Sequence, residues 1–121
     1  MIPPVFPTCR ASGAVTALLG TSPMRLYEFG LAPQGVTYPY AVWQIVAGAP
    51  ENYIGDVPDI DSVTVQVDAY AKTAGTARAV AIALRDAIEP VAHVVAWRGE
   101  SRDPETHNFR VSFDVDWYIE R

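Results

Sequence analysis

The sequence predicts an α+β fold: a single domain over residues 1–121 in the order α-β-β-β-α-β-β, with a mostly antiparallel sheet and two helices packed on one face. Three runs carry that reading. From Phe109 to Ile119, apolar Phe109, Val111, Phe113, Val115, Trp117 and Ile119 alternate with Arg110, Ser112, Asp114, Asp116 and Tyr118, the period of two of a strand with one face on a core. From Ser62 to Ala71 the same alternation sets Val63, Val65, Val67 and Ala69 against Thr64, Gln66, Asp68 and Tyr70. Between these strands Ala77, Val80, Ala81, Leu84 and Ile88 recur at helical spacing, with Arg78, Arg85 and Asp86 turned away. Thr73 offers that helix an N-cap, and Pro90 stops it.

The remaining elements follow in chain order. Thr8 to Leu19 places Ala11, Ala14, Val15, Leu18 and Leu19 at helical spacing, with Thr8 as its cap, Gly13 inside it, and Gly20 and Pro23 ending it. Met24 to Phe29 reads as a short strand. Tyr40 to Ala47 reads as a longer one, apolar on both faces and therefore expected to be central and covered on two sides. Gly48 to Asp61 is dense in turn formers and reads as a long excursion, although Tyr53 and Ile54 are more apolar than a solvated loop needs. Val91 to Arg98 forms one arm of a final hairpin, joined to the last strand by a polar loop through Ser101, Asp103, Pro104 and Asn108.

Charge and composition exclude several functions. The formal net charge is -5, and the nine Lys and Arg residues form no basic run, so the clustered cations that release counterions from a nucleic acid are missing. Cys9 is the single cysteine, which rules out an intrachain disulfide and the cysteine-rich zinc modules, and a reducing compartment is the natural reading. The amino-terminal stretch from Met1 to Pro7 has no basic residue, and no apolar run reaches membrane-spanning length, so neither a signal peptide nor a membrane partner is expected.

Candidate chemistry is sparse. Cys9, placed on the first turn of the expected helix, is weighed as a nucleophile against a half-buried structural cysteine, and the structural role is favoured. His93 falls in a strand and His107 in the hairpin loop beside Asp103 and Glu105, too few ligands for a metal centre. Asp56, Asp59 and Asp61 fail the EF-hand pattern because Pro58 falls where the loop must turn. Asp68, Asp114 and Asp116 share a strand face with Tyr70 and Tyr118, which reads as an exposed polar face and, more sharply, as a subunit interface. No catalytic, cofactor or metal residues are assigned.

The short strand Met24 to Phe29, the strand "PYAVWQIV" from Pro39, the excursion "GAPENYIGDVPDID", the strand "SVTVQVDAYA", the helix "KTAGTARAVAIALRDAIE" and the final "FRVSFDVDWYIE" cover nearly the whole chain. In this order they resemble the phage tail completion, or tail terminator, family. The resemblance implies a structural virion protein of the tail and neck, assembled in the host cytoplasm. It also implies a homo-hexameric ring that caps the tail tube and joins it to head connector proteins. DNA would pass through the ring without specific binding. Tyr53, Ile54, Tyr70 and Tyr118 are the candidate subunit interface on local physics, and Asp56, Asp59 and Asp61 the candidate lumen or stacking loop. The alternatives are another neck or minor tail component without tube-terminating activity, and a small hydrolase or ligand-binding domain using His93 or His107.

Overall fold

In the computed structural model the alternating runs become the two central strands of one sheet, β3 (Ile60–Ala71) and β5 (Phe109–Glu120), paired antiparallel from Ile60↔Glu120 to Ala71↔Phe109. The structure describes residues 2–50 and 60–120, with the side chains of residues 49 and 50 left aside. Around this pair lie β1 (Leu26–Glu28), β2 (Tyr40–Pro50) and β4 (His93–Arg102), giving the spatial order β1-β2-β3-β5-β4. Among the described residues only β1 and β2 run parallel. The register puts Val63, Val65, Val67 and Ala69 beside Trp117, Val115, Phe113 and Val111, and all eight are buried.

That apolar face is covered by α3 (Ala74–Ile88), whose stripe Ala77, Val80, Ala81, Leu84 and Ile88 is buried as its spacing requires. Thr73 caps it, the hydroxyl accepting from the Thr76 N–H at 3.2 Å, and Glu89 closes its end just before Pro90. The expected helix over Thr8 to Leu19 is instead two, α1 (Val5–Arg10) and α2 (Gly13–Leu19), so the described residues form three helices, α3 lying on β3 and β5 and α1 and α2 packing against α3. Ser12 makes the break, because its hydroxyl accepts from the Val15 N–H and caps α2, leaving Gly13 at a helix start and not in an interior. Thr8 is inside α1 and caps nothing.

Strand boundaries shift where pairing outweighs local composition. Gly48, Ala49 and Pro50 face Val63, Ser62 and Asp61, so the ladder runs past the expected end at Ala47 and takes in both ends of the predicted excursion. Val91 and Ala92 bond back to the Ile88 carbonyl in a turn, and β4 starts only at His93 but continues to Arg102, opposite Phe109. The expectation that β2 is covered on two sides is corrected. Ala41 and Trp43 are buried on the helix side, whereas Ile45, which pairs with buried Val65 on that same side, and Val46 are 38% and 46% exposed, and no second layer covers the other face among the described residues.

Candidate assembly surface

The face of the sheet turned away from the helices is built from the polar half of each alternation. Its centre holds Asp68, Gln66, Ser112 and Asp114, brought together by the β3–β5 register. Asp68 and Asp114 are only 5% and 3% exposed, which corrects the reading of an open polar face. Their neighbours cover them. Arg98, the extra residue of an irregularity in β4 between Trp97 and Gly99, donates from Nε to Asp114 Oδ2 at 2.6 Å. Arg110 donates to Asp68 Oδ1 from Nε at 3.2 Å and from Nη2 at 3.1 Å, and Gln66 Nε2 donates to the same oxygen and to Ser112 Oγ. Thr64 donates to Asp116 at 2.7 Å. Each carboxylate is thus matched by a donor from a neighbouring strand, a lattice that orders the face, and among the described residues Asp114 Oδ1 is buried without a hydrogen-bond partner.

At the end where β2 begins, four tyrosines gather. Tyr40 stacks on Tyr70 with ring centres 4.9 Å apart, Tyr38 meets Tyr40 edge-on at 5.1 Å, and Tyr27 lies tilted at 6.5 Å. Burial, reinforced by Tyr38, pushes the Tyr40 phenol up to about 12. Tyr70 is raised by burial and by Asp68, with Arg110 opposing. Beside the cluster a cleft of about 560 Å³ opens toward the hairpin loop, with Arg102 and Arg110 on its wall. It offers aromatic faces and guanidinium donors.

The residues weighed for catalysis or metal binding are accounted for by architecture. His93 lies exposed against Tyr118, rings edge-on at 6.0 Å. His107 takes φ 61 in the hairpin loop, where its N–H donates to the Asp103 carbonyl. Asp103 Oδ1 accepts from the Glu105 and Thr106 N–H groups, which holds its carboxyl below the usual carboxylate range. The Asp103, Glu105, His107 grouping is therefore a loop-forming turn. Among the described residues no three His, Cys, Asp or Glu side chains gather as metal ligands. Cys9 is near the end of α1, not on its first turn; it is fully buried, and burial pushes its thiol up to about 12. No helix among the described residues is long and apolar enough to cross a membrane.

Of the candidate interface and loop residues, Tyr53, Ile54, Asp56 and Asp59 lie outside the described residues. Asp61 belongs to β3 and is 7% exposed. Tyr70 is half-buried in its stack with Tyr40, and Tyr118 is 50% exposed. Sequence reasoning passed over the large exposed apolar groups Phe29, Leu31, Ile45, Val46, Val95 and Trp97. Ile45 and Val46 read as covered because β2 is apolar on both faces, and nothing in that pattern shows where along the strand the cover ends.

The sequence matches the family described as tail completion protein gp17 over residues 3–120. No curated protein matches it. Among solved structures, a chain of the "Virion of native gene transfer agent (GTA) particle" superposes with a TM-score of 0.65 at 16% identity, covering 97% of this chain and 92% of that one, which establishes a shared fold. The match takes in every element from α1 to β5, and the chain therefore belongs to the tail completion protein gp17 family, as a structural protein of the phage tail.

Proposed function

We propose that the chain is a tail terminator, a subunit that forms a ring on the end of the phage tail tube and joins it to the head connector. The observation that carries this reading is the family match from residue 3 to residue 120, which spans both layers of the domain and makes the whole body the working part. Charge supports it: a net charge of -5 with scattered cations suits a ring through which DNA slides, because like charges keep phosphates from adhering. The function is mechanical and needs no reaction centre.

The segment joining β2 to β3, with Asp56 and Asp59 and with Asp61 at the foot of β3, is the candidate for the lumen or stacking face. Tyr118, together with Tyr53 and Ile54, remains the candidate for contact with neighbours, while much of Tyr70 is already engaged by Tyr40. The protein would assemble in the host cytoplasm and end in the neck of the virion. Electron microscopy of the purified protein mixed with tail tubes tests the proposal. Capped tubes of limited length are expected, capping should survive alanine at both His93 and His107, and uncapped tubes that grow without limit would refute it.

A further inference from the structure

We propose that the cleft beside the tyrosine cluster is a peptide site, taking an extended, uncharged, proline-bearing segment of a neighbouring virion protein. Strand register builds it. Tyr40 pairs with Tyr70, Tyr70 with Arg110 and Arg110 with Ser101, so these residues form one row across β2, β3, β5 and β4. Alternation along β3 puts the row on the Asp68 face, away from α3. The hairpin residues from Arg102 to Asn108 line the other side. The enclosed space of about 560 Å³ is of the size that holds a small ligand or a few residues of peptide.

Its walls combine aromatic faces with spare donors. Tyr38, Tyr40 and Tyr70 brace one another through their ring contacts and are each only half-buried, so ring area is left for a guest. Tyrosine offers such area at little cost in conformational entropy, having two side-chain torsions. The Tyr40 phenol is held protonated in part by its hydrogen bond to Tyr38, which leaves the Tyr38 and Tyr70 O–H groups to donate. Arg110 commits Nε and Nη2 to Asp68 and keeps Nη1. Arg102 commits only Nε, to the His107 carbonyl, and makes no ion pair among the described residues. The lining also holds two carboxylates. Asp103 Oδ1 is taken by the Glu105 and Thr106 N–H groups, whereas the Glu105 side chain has no partner among the described residues.

These features select the guest. Arg102 and Arg110 against Asp103 and Glu105 bring the lining to zero formal charge, so an excess of either sign in a guest gains nothing. Spare donors call for a guest rich in acceptors, and aromatic faces call for apolar rings. Proline supplies both: it has no N–H, its ring packs flat on an aromatic face, and a polyproline II segment leaves its carbonyls without internal partners. Aromatic-lined grooves dock such segments because the guest is extended before it binds. A strand guest would bring as many N–H groups as carbonyls, and a helix would keep its polar groups to itself. The site is separate from the ring reading, which concerns contacts between whole subunits.

The test is an NMR titration of the isotope-labelled chain with three end-blocked peptides of equal length: all proline, glycine–serine, and proline alternating with aspartate. The all-proline peptide is expected to saturate at millimolar concentration or below and to shift the amides of Tyr38, Tyr70, Arg102 and Arg110. The glycine–serine peptide should bind at least about tenfold more weakly, lacking both the rings and the pre-extended backbone. The aspartate peptide should bind no more tightly than all proline. Tyr38→Phe and Tyr70→Phe keep the rings and remove one donor each, so each should weaken binding by about two- to tenfold, the net worth of a hydrogen bond. Circular dichroism verifies that both variants fold. No saturable shift, shifts that map outside the cleft, equal binding of glycine–serine, tighter binding of the aspartate peptide, or unchanged affinity in both variants would each overturn the assignment. None of these readouts involves tail tubes, so the ring reading stands or falls separately.

Discussion

Replacing Arg98 by leucine should destabilise the fold, and replacing its partner as well should restore it. Asp114 is 3% exposed, its Oδ2 is held by Arg98 Nε at 2.6 Å, and its Oδ1 has no donor. Removing the guanidinium leaves a shielded carboxylate without any partner. A fully enclosed charge stripped of its partner costs about 3–5 kcal/mol. Arg98 itself is 59% exposed, however, so water reaches the carboxylate once it is gone, and about 2 kcal/mol is the better figure. In a domain of this size that lowers Tm by roughly 6–10 °C. Adding Asp114→Val removes the stranded charge and puts a β-branched residue in a central strand, so the double variant should return to within about 1 kcal/mol of the wild type. Urea denaturation of the wild type, R98L, D114V and R98L/D114V gives the cycle directly. A double variant no more stable than R98L would show that the ion pair does not govern the site.

Two further predictions follow from capping and burial. Thr73→Ala should cost about 1 kcal/mol through loss of the α3 cap, read from the denaturation midpoint, and Thr73→Ser should recover most of it. Cys9 should resist a colorimetric thiol reagent at pH 8 in the folded protein and react at once when unfolded. With its folded pKa raised from 9.0 to about 12, its contribution to stability is intact below about pH 9 and is lost as pH climbs toward 12, so a stability profile should fall across that alkaline window.

Sequence patterns specified most strongly what depends on short-range periodicity. The stripe of α3 and the alternation in β5 each repeat a signal several times within one element, and both appear in the structure, as does the Thr73 cap that sits at the start of that stripe. The split between α1 and α2 turned on one hydroxyl, Ser12, whose cap competes with helix continuation by a margin that hydropathy spacing does not register. The ends of β2 and β4 were set by partners distant in the chain: Gly48 is in a strand because Val63 lies opposite, and Arg102 because Phe109 does. The polar face failed for the same reason. Asp68 and Asp114 look solvated in their own strand, and only the register reveals Arg110 and Arg98 lying over them. Phe29, Leu31 and Val95 were invisible as a set because they are gathered by tertiary placement onto the two sheet edges.

The pairing of β3 with β5 sets the tempo of folding. β3 can zip to β2 early, but its other side waits until α3 and β4 have been threaded between Ala71 and Phe109, so the loop that must close is long and its entropy is spent before any contact rewards it. Refolding should therefore run on the millisecond-to-second scale of non-local β topologies. During that interval Val63, Val65 and Val67 border an unzipped strand, which makes a crowded, newly synthesised population the point at which misassembly competes with productive folding.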